Sequence, residues 1–391
     1  MRVYNVRFGD AILLTVPDED EHGAAKNLHV LIDIGNALAR EGGRDDVFEP
    51  IFKDILAILG DEPLDLYIMT HEHMDHVQGL MYGKARLQLS LKAKEVWMTA
   101  SSAPDYYDRF ENAKKQKLTM LALYDDVARF FAARPAAPPP PAIEALLALN
   151  NPQASRDCVD HIAAIGPRAP LYIHREAALH GRNPFRRAHV RLLAPEEDTS
   201  VYYGRLAPHT LGPLDPETTD VGMAAGELAP PAGVSAADFA NLIRFRSHGM
   251  SSNLLQIDKA ANNTSVVLEL EWQGWVLLLP GDAEEKSWEI MERKGLLRPA
   301  HFLKVSHHGS INGSPAQLYN KVLPEEAPDG RSRTAVVSTF DGSYPGVPDT
   351  ATLAALGNRA TLYDTRNLPP GGYFDFEFGA DGSSASSSNP R

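Results

Sequence analysis

The stretch that most limits what this chain can become is a junction. The largely apolar run LDLYIMT, residues 64–70, passes straight into HEHMDH, residues 71–76. A run with so little polar alternation reads as a strand buried on both faces, and such a strand requires a sheet covered on each side. Strand side chains two apart point the same way, so His71 and His73 can aim at one cation. Asp75 and His76, expected on the turn that follows, can reach a second position nearby. Imidazole nitrogens and a carboxylate suit Zn²⁺, and the same donors accept Mn²⁺ or Fe²⁺. The bland alternative is a polar loop with incidental histidines. So many ligand-type side chains in register after a buried strand weigh against it.

Around this junction strand and helix patterns alternate. RVYNVRF, AILLTV and LHVLIDIGN, broken at Gly9-Asp10 and by a polar loop, predict successive antiparallel strands. A helix is expected at 47–59 and a further strand at KEVWMTA. From Ser101 the character changes. The amphipathic pattern YYDRFENAKKQKLTMLALYDDVARFFAA, a proline run that interrupts it and then AIEALLALN predict a mostly helical insertion, with strands at APLYIHR and HVRLLAP. Strand grammar returns at NTSVVLELEWQGWVLLLPGDA, a hairpin ending at Gly281-Asp282. The helix EEKSWEIMERKG and the strand HFLKV follow, and the strand ends at His307-His308. TAVVSTF and YFDFEF are later strands, with the helix DTATLAALG between them. The expected organisation is a core of 1–100 and 252–375, an insertion or cap at 101–251, and a disordered, low-complexity tail at 376–391.

Composition removes several classes. Cys158 is the only cysteine among 391 residues, which excludes an intramolecular disulfide and a cysteine cage for zinc. A net charge of −13 disfavours a surface built to hold nucleic acid non-specifically, although an oligonucleotide remains among the substrates to consider. No window approaches a membrane span and the N-terminus lacks an apolar signal core, so no membrane partner and a cytoplasmic setting are expected.

H-x-H-x-D-H is the signature of the metallo-β-lactamase superfamily, and the sequence resembles that superfamily at further places. Asp33 in VLIDIG resembles its early structural aspartate. Gly281-Asp282 in LLLPGDA resembles the aspartate that bridges two metals, and His307-His308 in LKVSHHGS the late histidine of the second metal. With VRFGDAILL and NNTSVVLEL added, these segments look like the metallo-β-lactamase domain of the DNA-uptake competence channel and its soluble relatives. That branch is associated with phosphodiester cleavage. The resemblance covers the first hundred residues and about 262–310.

The resemblance implies an α/β (α+β) fold, a four-layer αββα sandwich with the helical insertion over one edge. It implies two divalent ions, zinc first, held by His71, His73, Asp75, His76, Asp282 and His308. Such a centre activates water for attack on phosphorus or on a carbonyl carbon. Asp75 would be both ligand and proton acceptor and Asp282 the bridge; one of His307 and His308, with His308 preferred, would be a ligand and the other a hydrogen-bonding partner of the leaving group or substrate. Two departures stand out. Asn262-Asn263 occupy the place where many members carry a third histidine, which leaves His71, His73 and Asp282 with water or an amide oxygen at the first ion. Val347 in SYPGVPD stands where the competence-like branch often has Gly-His-Pro.

The expected function is metal-dependent hydrolysis of a small-molecule or oligonucleotide phosphoester or phosphodiester. Carboxylic esters, lactones, thioesters or amides are the alternative substrates, and a non-catalytic binding module on the same fold is the alternative of another class. Asn262, Asn263 and His248 are candidate substrate contacts. The basic segment HREAALHGRNPFRRAHVR is a solvated face or, on the sharper reading, an anion-binding wall.

Overall fold

The computed structural model describes residues 1–20, 22–36, 44–133, 139–179, 181–204, 254–327, 329–341 and 346–389. Its strands form two mixed sheets, so the chain is an α+β protein. In the first, β1 (Arg2–Tyr4), β2 (Ala11–Glu19) and β3 (Ala25–Ile34) run antiparallel. β4 (Leu64–Met69), β5 (Ala93–Thr99) and β6 (Leu171–Ile173) continue it in parallel. The second sheet begins with antiparallel β7 (His189–Ala194), β8 (Val267–Trp272) and β9 (Trp275–Leu279). It continues in parallel through β10 (Phe302–Lys304), β11 (Thr334–Val337) and β12 (Thr361–Asp364). On the free edge of β1, the first sheet gains β13 (Tyr373–Phe378) and then β14 (Ser384–Asn389), both antiparallel.

Alternation along each strand decides which core a side chain joins. In β2, Leu13 faces α1 (Asp45–Leu59) and α2 (Met74–Tyr82), packing with Phe48, Phe52 and Val77. Its neighbours Ile12 and Leu14 face the other way, into a cluster that both sheets share. There Ile32, Ile68 and Trp97 of the first sheet meet Leu268, Leu277 and Phe302 of the second. The far face of the second sheet, with Leu278, Leu303 and Val337, packs on Trp288 and Met291 of α8 (Glu285–Arg293) and Leu356 of α10 (Thr350–Gly357). Each fully buried side chain of this kind contributes roughly 1.5–3 kcal/mol. Every residue of β4 is buried, which is why its sequence shows no alternation.

Two expectations are corrected and one is made more definite. The segment 101–251, expected as an insertion or cap, contains β6 and β7, which form an edge strand of each sheet. Both strands are too short and too apolar to stand alone, and a sheet edge gives them backbone partners and a covered face. The helices α3 (Tyr106–Arg109), α4 (Glu111–Ala132), α5 (Pro141–Leu149) and α6 (Pro152–Ala163) make up the helical part. The tail expected to be disordered from 376 instead completes β13 and supplies β14, paired from Tyr373↔Asn389 to Phe378↔Ser384. A serine-rich run offers no core, but a backbone ladder needs none. Finally, Asp75 and His76 sit in the first turn of α2, not on a free turn. Among the described residues no helix is long and apolar enough to cross a membrane.

Candidate metal centre

The site is assembled where parallel strands end, the usual place for function in such sheets. Asp33 is next to last in β3, and His71 and His73 follow β4. His73 is the N-cap of α2, so Asp75 and His76 fall on its opening turn. Asp282 follows β9, and His307-His308 follow β10. Asp33, His307 and His308 hold φ of 52°, 45° and 52°, three of the six positive-φ non-glycine residues among those described. Each such conformation costs about 1–3 kcal/mol and persists because its surroundings fix it. Gly35 permits the closest approach: a Cβ there would overlap the Asp75 carbonyl carbon and the His76 amide nitrogen.

Asp75, His76, Asp282 and His308 are all buried, and one donor atom from each lies within 4.8 Å of the others. His308 Nε2 is 2.9 Å from Asp75 Oδ2 and 3.0 Å from Asp282 Oδ2. His76 Nε2 is 3.1 Å from the same Asp282 oxygen. The opposite ring nitrogens are held from behind. Asp33 accepts from His76 Nδ1 at 2.7 Å and from the Thr70 amide and hydroxyl at 2.8 and 2.5 Å. The Ser338 carbonyl accepts from His308 Nδ1 at 2.8 Å. This is how metal-binding imidazoles are oriented in general, one nitrogen fixed so that the other is presented.

A second group adjoins the first. Donor atoms of Asp258, Glu284 and His307 also lie within 4.8 Å of one another. Asp258 is on α7, described over 254–262, and Glu284 is the N-cap of α8. The Asn262 amide nitrogen stands at the centre, 2.8 Å from Glu284 Oε1, 3.2 Å from His307 Nε2 and 3.3 Å from Asp258 Oδ2. His307 Nδ1 is 3.1 Å from Glu284. The His71 ring lies between His76 and His73, its centroid 4.2 Å from that of His76 and 4.7 Å from that of His73.

The electrostatics ask for cations. Asp10, Asp33, Asp75 and Asp282 are at most 2% exposed, and among the described residues the only buried ammonium beside them is Lys304. Lys304 pairs with Asp10 and stands 3.7 Å from Asp282. Uncompensated buried charge is expensive, so protons or metal ions must make up the difference. Without metal, burial opposes charging of His308, but Asp282 and Asp75 overcome it and raise its pKa to about 10. His76 is likewise held well above the ordinary imidazole value against burial, by Asp282, Asp75 and Asp33. Burial would raise Asp282, yet His308 and His76 hold it well below the usual carboxylate range. Burial and the neighbouring histidines push His71 the other way, well below the ordinary value, so it stays neutral. The donor set therefore fits divalent metal ions of the Zn²⁺, Mn²⁺ and Fe²⁺ type. Asp75 Oδ1, Asp282 Oδ1 and His71 Nε2, all buried, have no hydrogen-bond partner among the described residues.

The sequence-derived candidates separate clearly. His71, Asp75, His76, Asp282 and His308 converge, and His308 rather than His307 faces the Asp75–Asp282 pair. His73 is adjacent, its Nε2 3.0 Å from Asn150 Oδ1. Asn262 lies inside the second group. Asn263 binds backbone, donating to the Lys259 carbonyl and accepting from the Ser287 amide. His248 lies outside the described residues. Four of the five arginines of the basic segment are engaged in ion pairs: Arg175 with Glu196, Arg182 with Glu95, Arg187 with Glu19 and Arg191 with Glu269. That favours the plain surface reading of the segment. Sequence reasoning missed Asn150, Asp258 and Glu284. For Asp258 the available signal was its spacing of one helical turn before Asn262.

A cavity of about 550 Å³ opens beside His73, with Glu72, Lys117, Tyr107, Asn150 and Arg156 in its wall. No family model matches this chain, and no curated protein matches it.

Proposed function

We propose that this chain is a metal-dependent hydrolase of metallo-β-lactamase type, acting on phosphoesters or phosphodiesters. The observation that carries the reading is the buried convergence of Asp75, His76, Asp282 and His308, with oriented imidazoles and unpartnered carboxylate oxygens. The apolar cluster shared by the two sheets, with helices packed on both outer faces, supports a four-layer αββα sandwich. Two divalent ions bound at such a centre would lower the pKa of a water and polarise the scissile group.

The chain's own residues then have defined tasks. Asp33 and the Ser338 carbonyl keep His76 and His308 turned towards the carboxylates. Asp75 Oδ1 has the free lone pair that can receive a proton from the attacking water. Glu284 keeps the His307 pKa raised against burial, so His307 can hold the proton that a leaving oxygen needs. In the wall of the cavity beside His73, Lys117 faces Glu72 at 3.5 Å, which leaves Arg156 as the cation that can meet an anionic substrate.

The test is turnover of bis(p-nitrophenyl) phosphate against p-nitrophenyl carboxylic esters, by protein stripped with chelator and reloaded with Zn²⁺ or Mn²⁺. The expected result is phosphodiester turnover that needs the metal and falls about 10³-fold or more in Asp282→Ala, a loss of several kcal/mol of charge stabilisation. Turnover of the carboxylic esters alone would move the substrate to that class. A metal-loaded protein inert to both panels would favour the binding-module reading.

A further inference from the structure

The His71–His73 half of the centre lacks the third histidine at Asn262-Asn263, and the structure brings a different group to that gap. Asp258, 6% exposed, has its Oδ1 3.8 Å from His73 Nε2. Ligand atoms about 2.0–2.2 Å from one ion stand roughly 3–4 Å apart, so this pair has the spacing of neighbours around a cation. Asn150 links the two, its Oδ1 3.0 Å from His73 Nε2 and its Nδ2 donating to Asp258 Oδ1 at 3.0 Å. Asn262 holds the second oxygen of Asp258 at 3.3 Å. Among the described residues, the only ion-pair partner of Asp258 is His73.

An independent observation comes from His71. The Thr70 hydroxyl donates to Asp33 and therefore accepts from His71 Nδ1, 3.1 Å away, and the Ser265 hydroxyl, 3.2 Å from the same nitrogen, can accept from it as well. That places the His71 proton on Nδ1 and leaves Nε2 with a lone pair. This nitrogen, on a fully buried ring next to His73, has no partner among the described residues. A buried lone pair lies on the ring beside His73 and a buried carboxylate lies 3.8 Å from its Nε2, and both are donors of the kind a divalent cation takes.

We propose that Asp258 is the carboxylate ligand that completes the His71–His73 half of the centre, with Asn150 and Asn262 as the clamps that position it. Cation uptake displaces any proton from His73 Nε2 and with it the hydrogen bond to Asn150. The assignment rests on the metal-dependent reading above and adds a ligand that the histidine motif does not contain.

The test counts ions in the full-length protein, stripped with chelator, dialysed against Co²⁺ and measured by elemental analysis and visible absorption. Wild type should hold two ions. Asp258→Ala and the isosteric Asp258→Asn should each hold one, with affinity for the second weakened beyond the roughly 10–100-fold typical of losing an outer-shell partner. Asp258→His should restore the second ion, and circular dichroism on each variant establishes that it is folded. His308→Ala, which breaks the other half, should lose the complementary ion and its absorption bands. If folded Asp258 variants keep both ions while His308→Ala loses one, the metal centre stands and the Asp258 assignment falls. If wild type holds no ion, the metal reading falls and takes the assignment with it.

Discussion

The two halves of the centre are built by different means. Around Asp75, His76, Asp282 and His308, every imidazole is fixed from behind and every contact inside is charged. Around His73, Asp258, Glu284 and His307, two asparagine amides do the joining: Asn150 ties His73 to Asp258, and Asn262 ties Asp258 to Glu284 and His307. An amide nitrogen offers two N–H groups, which Asn262 can give to Glu284 and Asp258, so the His307 Nε2 that also stands 3.2 Å from it is left without a third. The first half is therefore closed directly by carboxylate–imidazole contacts of 2.9–3.1 Å, whereas in the second His73 and Asp258 stand 3.8 Å apart and are joined through Asn150. A preset half should bind its cation tightly with little rearrangement, whereas the clamped half should be the more easily emptied.

The largest break in this comparison comes from Lys304, which serves only the first half. Lys304→Met strips Asp10 and Asp282 of their buried cation. Removing one partner of a buried pair costs about 3–5 kcal/mol, so denaturant unfolding of metal-free protein should show a loss of that size. Saturating metal should recover part of it, because an ion at Asp282 replaces the missing charge. A midpoint unchanged from wild type would mean that the pair does not stabilise the fold.

Asp33→Asn makes a smaller change in the same half. It keeps the shape but removes the carboxylate that orients His76 Nδ1. Metal affinity should fall by roughly 10–100-fold, read by competition with a chromogenic chelator. Asn150→Ala, the matching change in the clamped half, should weaken only the second ion. Equal effects of both variants on both ions would erase the distinction between the halves.

The smallest effect is a proton count. His308 has a folded pKa of about 10, above the ordinary imidazole value of about 6.5. Its contribution to the metal-free fold is thus complete below the ordinary value and is lost as pH rises through the folded one. Asp282 is depressed, so its contribution is present above the ordinary carboxylate value of about 3.9 and is lost in acid. Metal-free protein should be most stable between these limits. Metal uptake near neutrality should release protons from His76 and His308, and apparent affinity should climb with pH. Calorimetric titration in two buffers of different ionisation enthalpy measures the release, which should shrink in His308→Ala. No release from wild type would contradict the charge state derived for the first half.

The same division explains what the sequence made legible. The first half was readable because its ligands follow strand ends: the HEHMDH run, Gly281-Asp282 and His307-His308 each close an apolar segment. The strands themselves were readable from alternation, or from its absence in β4. In the second half His73, Asn262 and His307 were named from sequence, but Asp258 and Asn150 were hidden, because they carry no local pattern that separates them from surface polar residues and only packing of α5 and α7 near His73 gives them a role. The edges of the sheets were hidden for a related reason. β14 is a strand because a neighbour offers unpaired backbone, a fact that is not written in its own side chains, whereas β6 and β7 were legible as strands and only their sheet partners were not.

Asp282 is the residue that decides the matter, since its carboxylate touches both His76 and His308 and its burial has no purpose without a positive partner. The direct measurement is metal content per chain, after dialysis at a fixed free Zn²⁺ level, for wild type and folded Asp282→Ala side by side. Two ions in wild type and a fall to one or none in the variant are the predicted result. Equal metal content in the two proteins, or none in wild type, would contradict the claim that these buried donors exist to grip cations.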